Sequence, residues 1–215
     1  MKKFFLTVLF LVIGSVVFFR GWTQIKIQPD ECGIINSIFT GTKQEAVQHG
    51  KFSWNWEMVI PKTAKFVKFP VKPYNTSKNI SGSIPQAYLT ATYNDLLNYN
   101  ISYSISLSYT PEALISLYEK NYISDSEDLQ LYLENAADSI CQMATNYILN
   151  CSKIDSFFNP QTLKREDLIL NSQAYKEFPD LDVTIFSITS YKLPNYALYN
   201  KLETEAFVNS LQNKE

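Results

Sequence analysis

The chain has 215 residues, of which 46% are hydrophobic and 14% aromatic, and its formal net charge is −2. That is enough apolar material for one packed domain with a short appendage, and it argues against disorder. Without Lys2, Lys3 and Arg20, the remainder has 16 basic and 21 acidic residues. A mildly acidic body with no basic stripe is unsuited to phosphate binding, so we expect no nucleic-acid partner.

The N-terminal segment predicts a membrane helix. Sixteen residues, Phe4 to Phe19, carry no charge and follow Lys2 and Lys3. As a helix they span about 24 Å, and about 28 Å with the flanking residues, which is short but sufficient to cross a bilayer. Trp22 stands where an interfacial aromatic is expected. We therefore predict a single-pass anchor over residues 1–22, with the N-terminus cytoplasmic and the body extracytoplasmic, which in a bacterium means periplasmic.

A cleaved signal peptide is the alternative for the same segment, since it also begins with basic residues. The best cleavage site lies after Gly14, with Val12 at the −3 position. Cleavage there would leave the apolar run Val16–Phe19 at the new N-terminus and exposed to water. We favour the uncleaved anchor and keep both interpretations.

The first part of the body predicts four strands and one turn. Polar and apolar residues alternate in most of them, and Pro61, Pro70 and Pro73 punctuate the segment. The predicted strands are Gln24–Gln28, Gly33–Phe39, Phe52–Trp56 and Phe66–Val71, the last an edge strand or strand end; Pro29-Asp30-Glu31 forms the turn.

The aromatic group Phe52, Trp54 and Trp56 has two interpretations. Packing within the sheet core is favoured, because alternating aromatic residues suit a strand. The alternative is a membrane-proximal face resting on lipid headgroups, since tryptophan suits that interface and the segment follows soon after the anchor.

The clearest pattern in the chain follows this segment. From Leu97 to Tyr109, seven apolar or aromatic residues alternate with Asn and Ser, which is the period of a strand with one buried and one wet face. We predict a long antiparallel strand here. Before it, we predict a loop at Ser77–Ile84, a strand at Ala87–Tyr93 and a turn at Asn94-Asp95.

The last part of the body is predominantly helical. Thr110 as N-cap and Pro111 at the first position begin a helix, and Ser124 with Glu127 fits a capping box. The predicted elements are helices at Pro111–Tyr122, from Ser124 to Leu149 and at Leu163–Tyr175, a strand at Leu181–Leu193, and a helix from Pro194. Strands first and helices later predict an α+β fold.

The cysteines predict no site. Cys32, Cys141 and Cys151 have no C-x-x-C spacing, which argues against a disulfide framework and a zinc site. Positions 141 and 151 differ by about 1000° on one helix, so their side chains would not share a face. We expect small buried side chains at all three, with one bridge left open if the domain is extracytoplasmic.

Catalytic motifs are absent from the sequence. The single histidine, His49, precedes Gly50 and is expected on an exposed turn, so a His cluster is excluded and no G-x-S-x-G accompanies it. Neither phosphate-binding glycine motif occurs, and Glu127-Asp128 suits a solvated helix face. We therefore expect no catalytic, cofactor or metal residues and no enzymatic activity, with a Ser–Lys hydrolase as a remote alternative.

Four motifs occur in order along the body. They are residues 27–35 (IQPDECGII), His49-Gly50-Lys51-Phe52 before Pro61, Asn100–Tyr109 before Thr110-Pro111-Glu112, and Leu193-Pro194 with Ala197. Together they resemble the SPFH domain, also called Band 7 or prohibitin-homology domain, of stomatin, prohibitin, flotillin and the bacterial HflK and HflC proteins. Asn94-Asp95-Leu96 departs from that pattern, because the family often has Asp-Gly there.

The resemblance implies an organisation and a role. It implies an anchor at 1–22, an SPFH-like domain at 23–193, and a short C-terminal helix at 194–215 that corresponds to the start of the family's coiled coil. This helix is too short for a stable coiled coil by itself, so a small oligomer or hetero-complex is expected as readily as a large ring.

The implied function is a membrane-bound scaffold that self-associates laterally and organises or regulates other membrane proteins, often a membrane protease. Its implied partners are the bilayer, further copies or other SPFH proteins, and such a protease. The competing hypothesis is an exported module, freed from its leader, that binds a ligand or peptide in a pocket beside the long strand.

Overall fold

The structure, a computed structural model, describes residues 2–84, 94–155 and 157–212. The fold is α+β, with an apolar N-terminal helix and two antiparallel sheets. The chain divides into two compact units, the first formed by Met1–Pro73 and Tyr109–Leu133, the second by Tyr74–Ser108 and Glu134–Glu215. The predicted domain boundaries after residues 22 and 193 stay predictions.

The described elements have the following bounds. The helices are α1 (Lys2–Gly21), α2 (Asn94–Leu97), α3 (Pro111–Glu119), α4 (Ser126–Ile154), α5 (Arg165–Ser172), α6 (Ala174–Glu177) and α7 (Tyr196–Gln212). The strands are β1 (Glu31–Ser37), β2 (Gly41–Thr42), β3 (Val47–Gln48), β4 (Ala64–Pro70), β5 (Tyr74–Ser83), β6 (Asn98–Ser108) and β7 (Asp182–Lys192).

Helix α1 contains the predicted apolar run. Its 20 residues are long and apolar enough to cross a membrane, and most of its side chains are exposed rather than packed against the protein. Length and composition of this kind are shared by membrane anchors and signal sequences.

The sheet of the first unit is built around β1. Strand β4 pairs antiparallel with it along its whole length, while β2 and β3 pair antiparallel with its two ends. One cluster of its core contains Ile27, Ile35 and Val47, with Phe66 and Met58 packed against it. The strands predicted at Gly33–Phe39 and Phe66–Val71 are therefore confirmed, with shifted ends.

Two other strand predictions in the first unit are wrong. Residues Gln24–Lys26 form a 3₁₀ turn, in which the Ile27 N–H donates to the Gln24 carbonyl. Polar and apolar residues alternate there without forming a strand. In Phe52–Trp56, Trp54 makes one isolated bridge to Trp22, and a second 3₁₀ turn begins at Trp56. The sequence does not predict β2 and β3, because two residues are too few to show the period of a strand.

The sheet of the second unit has the order β5-β6-β7, antiparallel throughout. Its central strand β6 confirms the long strand, and its alternate side chains Ile101, Tyr103, Ile105 and Leu107 are buried. In the same unit, Tyr103 and Thr145 of α4 share a hydrogen bond of 2.7 Å between their hydroxyl oxygens. The phenol therefore has a polar partner in an otherwise apolar core, which avoids the cost of burying it unpaired.

Strand β5 occupies the segment predicted as a loop at Ser77–Ile84. Its residues are polar and nearly periodless, but their backbone pairs with β6 over ten positions. Lys78 on this strand lies 2.9 Å from Asp138 and 3.5 Å from Glu134. Backbone pairing and an ion pair, rather than apolar side chains, account for the strand.

Two neighbouring predictions have different outcomes. The strand at Ala87–Tyr93 lies outside the described residues. The turn predicted at Asn94-Asp95 is instead the start of the short helix α2.

The helix beginning at Pro111 is confirmed together with its cap, since the Ala113 N–H donates to the Thr110 hydroxyl at 3.2 Å. The capping box of Ser124 with Glu127 is wrong. Helix α4 begins at Ser126, where the Asp125 carboxylate accepts the Glu127 and Asp128 N–H groups.

The later elements are confirmed with one interruption. Strand β7 and helix α7 lie where a strand and a C-terminal helix were predicted. The helix predicted at Leu163–Tyr175 is broken into α5 and α6, because Gln173 adopts a left-handed conformation with φ of 60° and ends the first piece.

All three cysteines are free thiols. Cys32 and Cys141 are buried, as predicted, and burial raises the pKa of each thiol to about 12. The prediction of a buried side chain is wrong for Cys151, which is half-buried and hydrogen-bonded by Tyr147. A raised thiol pKa lowers the thiolate fraction at neutral pH, so Cys32 and Cys141 are expected to react slowly in the folded protein.

The two faces of β6 differ in a way that mutation can test. Ile105→Ala should lower the free energy of unfolding by about 2–5 kcal/mol, because Ile105 is 1% exposed and its loss leaves a cavity. The matched control, Ser104→Ala on the opposite face, should change it by less than about 0.5 kcal/mol. Urea titrations of both variants measure these values, and equal effects would contradict the assigned faces.

Candidate membrane-interface site

The end of helix α1 is joined to the body by aromatic rings. Phe18 and Trp22 of the helix end meet Phe52 and Trp54 of the following loop, and we call these four residues the aromatic junction. Ring centroids lie 5.5 Å apart for Phe18–Trp22, 5.8 Å for Trp22–Phe52 and 6.4 Å for Phe18–Phe52. Offset and tilted rings at these distances attract beyond their buried area.

Hydrogen bonds fasten the same helix end. The last carbonyls of a helix have no partner within it. Here the Asn55 N–H donates to the Gly21 carbonyl at 2.8 Å, and the Trp54 indole N–H donates at 3.2 Å to the Phe18 carbonyl, which also accepts the Trp22 N–H. Thr23, which is fully buried, donates from both its N–H and its hydroxyl to the Ser53 carbonyl.

Position 21 has room only for a glycine, because the Trp54 ring packs directly against its Cα. A Cβ at position 21 would lie 2.4 Å from the Trp54 indole nitrogen, which is closer than any ordinary contact. The other glycine of the helix, Gly14, has nothing within 4 Å of its Cβ position. Substitutions at these two positions can therefore distinguish an effect on the helix from an effect on the junction.

Buried polar groups support the loop behind the junction. The Asn55 side-chain oxygen accepts the Glu57 N–H at 2.9 Å, and the Glu57 carboxylate accepts from the Thr40 hydroxyl at 3.2 Å. Thr63 donates its hydroxyl to the Glu57 carbonyl at 2.6 Å. These bonds hold the turns around residues 40 and 57 together; the Asn55 side-chain nitrogen has no hydrogen-bond partner among the described residues.

Next to the junction lies a group of exposed apolar side chains. We call Ile38, Phe39, Trp56 and Ile60 the outer patch. Ile38 is 76%, Phe39 63% and Trp56 51% exposed, and the Phe39 and Trp56 rings stack at 5.9 Å. The interpretation of the tryptophans as sheet-core residues is therefore wrong, because both Trp54 and Trp56 are exposed.

Charge is strongly segregated along the chain. Residues 1–73 contain ten Lys or Arg and four Asp or Glu, a net charge of +6, whereas residues 74–215 contain nine and seventeen, a net charge of −8. The overall charge of −2 hides this division. The segment that carries the helix, the junction and the outer patch is basic, a property that favours anionic surfaces.

The other residues considered from the sequence lie apart from this site. His49 is on an exposed turn, as predicted, with its Nδ1 3.2 Å from the Ile27 carbonyl oxygen. Glu127 is exposed at the start of α4. Within the described ranges, no group of three or more His, Cys, Asp or Glu side chains is arranged to hold a metal ion.

The second unit contains an open cleft of about 550 Å³. Residues of α4 and of the segment 171–177 line it, rather than β6, and they are mainly exposed amide side chains such as Asn146, Asn150 and Gln173. The buried Ser172 hydroxyl is already bonded to the Ile169 carbonyl. The cleft offers hydrogen bonds to a polar ligand, and Lys176 and Glu177 add one charge of each sign to its lining.

Sequence comparison finds a distant similarity. No model of a known protein family matches the chain. An uncharacterized protein of Treponema pallidum (strain Nichols) is 21% identical over 199 residues, which cover 88% of this chain and 66% of that protein. The chain therefore spans just under two thirds of the relative's length.

Substitution of the two α1 glycines tests the junction. Gly21→Ala should push the Trp54 ring away and lower stability by about 1–3 kcal/mol, as overpacking does. All three tryptophans, Trp22, Trp54 and Trp56, lie in this region, so fluorescence and near-ultraviolet circular dichroism of the detergent-solubilised chain report on it directly. Gly14→Ala is the matched control and should leave both spectra unchanged; identical spectra for the two variants would contradict the close contact.

Proposed function

We propose that this protein is a membrane-anchored, non-enzymatic scaffold of the SPFH type, which associates laterally and organises or regulates other membrane proteins. The observation that carries the proposal is the aromatic junction. An apolar helix whose last carbonyls are hydrogen-bonded by the body belongs to the folded unit, and such a helix fixes that unit at the membrane surface. A flexible tether would need none of these bonds.

The positions of the motifs support the SPFH part of the proposal. Residues 27–35 form the turn and the central strand β1, and the second motif precedes the loop that binds α1. The third motif is β6 with the Thr110 cap, and the fourth leads from β7 into α7. The third and fourth motifs therefore lie at strand-to-helix transitions of the kind that the resemblance implies.

In the proposed mechanism, the protein positions other membrane proteins and does not catalyse a reaction. Anchoring restricts the protein to two dimensions, which raises the effective concentration of its neighbours and allows weak contacts to assemble. The assembled copies, alone or with other SPFH proteins, would then position a client such as a membrane protease. No catalytic residue, cofactor or metal is part of this proposal.

The proposed topology places the N-terminus in the cytoplasm and the body outside, in the periplasm of a bacterium. Lys2 and Lys3 before the helix favour this orientation, while Arg20 and Lys26 after it reduce the bias. Cleavage after Gly14 is disfavoured because it would leave Val16, exposed in the structure, at the mature N-terminus.

Assembly can be tested on the native protein. In a mild detergent, the intact chain should migrate as an oligomer or with a second membrane protein, and cross-linking in intact membranes should capture the same neighbours. Solubilisation in a harsh detergent provides the control, because it should reduce the particle to single chains. A strict monomer in mild detergent, with no cross-linked membrane protein, would refute the scaffold.

The cleft in the second unit favours one alternative, an exported module that binds a polar ligand or peptide after loss of its leader. Mass spectrometry of the N-terminus distinguishes the two functions. An intact N-terminal region in the membrane fraction supports the scaffold, whereas a soluble chain lacking about the first fourteen residues supports the exported module.

A further inference from the structure

The outer patch is adjacent to the membrane end of α1. Helix α1 contacts the 3₁₀ turn that begins at Trp56, within the same compact unit. Trp54, two residues earlier, is bonded to the helix itself. Two residues of chain reach at most about 7 Å, so Trp56 lies close to the point where the helix ends.

This short distance matches the thickness of the lipid interface. The polar zone of one leaflet is about 5–8 Å deep, half the difference between the whole bilayer and its hydrocarbon core. With Trp22 and Trp54 at the surface of the core, Trp56 and the Phe39 ring stacked on it are within reach of the headgroup zone. Tryptophan and phenylalanine suit that zone, because their rings are apolar and polarisable.

Charge favours lipid over a second copy as the occupant of the patch. Residues 1–73 carry a net charge of +6 and residues 109–133 of the same unit carry −4, so the unit is basic by +2. Its exposed cations Lys51 and Lys62 lie beside the junction and the patch. Two copies joined through this surface would bring like charges together, which opposes association. Anionic headgroups would instead be attracted to it, within the screening length of the solution.

From this arrangement we propose that the outer patch, Ile38, Phe39, Trp56 and Ile60, inserts into the headgroup zone of the bilayer, with a preference for anionic lipid. The first unit would then lie on the membrane at a second point besides α1, so that the body is fixed in orientation and not only in distance. The inference rests on the anchoring part of the proposed function.

The test uses the full-length chain reconstituted in bilayers, with nitroxide labels on introduced cysteines. The background is Cys151→Ser, since Cys32 and Cys141 are buried. Phe39→Cys reports on the patch. Leu131→Cys is the matched control, because Leu131 is 58% exposed in the same unit but lies on α4, outside the patch. Val12→Cys in α1 is the reference for lipid.

Collision rates of each label are measured with oxygen, which concentrates in lipid, and with a water-soluble nickel chelate. The label at position 39 should collide more often with oxygen than with the nickel chelate, as the label at position 12 does. The label at position 131 should collide more often with the chelate. Adding phosphatidylglycerol to phosphatidylcholine bilayers should raise the oxygen-to-nickel ratio at position 39 and leave the ratio at position 131 unchanged.

Other results overturn the inference. If position 39 favours nickel while position 12 favours oxygen, the anchor holds but the patch lies in water. If position 39 is shielded from both reagents, protein covers the patch, as in a dimer. If position 12 also favours nickel, the helix does not span the bilayer, and both the anchored scaffold and the patch proposal fail.

Discussion

The bonds at the end of helix α1 are the constraint on which the first unit of this molecule depends. A helix that ends at a lipid boundary presents carbonyl groups that water reaches poorly, and leaving them unpaired is costly. The Asn55 N–H meets the Gly21 carbonyl, and the Trp54 indole adds a second donor to the Phe18 carbonyl, which already accepts the Trp22 N–H. Since Trp54 closes against Gly21 without a gap, the loop that carries it is positioned by the helix, and the exposed aromatic residues that follow are positioned with it.

The second unit is organised by a different constraint, the two-faced strand β6. One of its buried residues, Tyr103, shares a hydrogen bond with Thr145 of α4. Burial raises the pKa of the Tyr103 phenol above its ordinary value, so the hydroxyl stays neutral and can share its proton with Thr145. Removing one of the two hydroxyls would leave the other buried without a partner, which costs more than the hydrogen bond contributes.

Sequence periodicity predicted β6 because buried apolar residues alternate there with Asn and Ser, most of which are half-buried on the other face. The same rule failed for β5, whose pairing is made by the backbone and whose polar residues carry no period. It also produced a false strand at Phe52–Trp56, because the aromatic residues there alternate around a loop. The junction itself was not predictable: Trp54 binds a carbonyl 36 residues away, and a main-chain acceptor has no sequence signature.

The junction also bears on whether α1 is retained. If the chain were cut after Gly14, residues 15–21 would remain, which is fewer than two turns of helix. A helix that short is marginal in water, so the Phe18 and Gly21 carbonyls would lose the geometry that Trp54 and Asn55 meet. The contact between Gly21 and Trp54 is therefore better supported by the whole of α1 than by residues 15–21 alone.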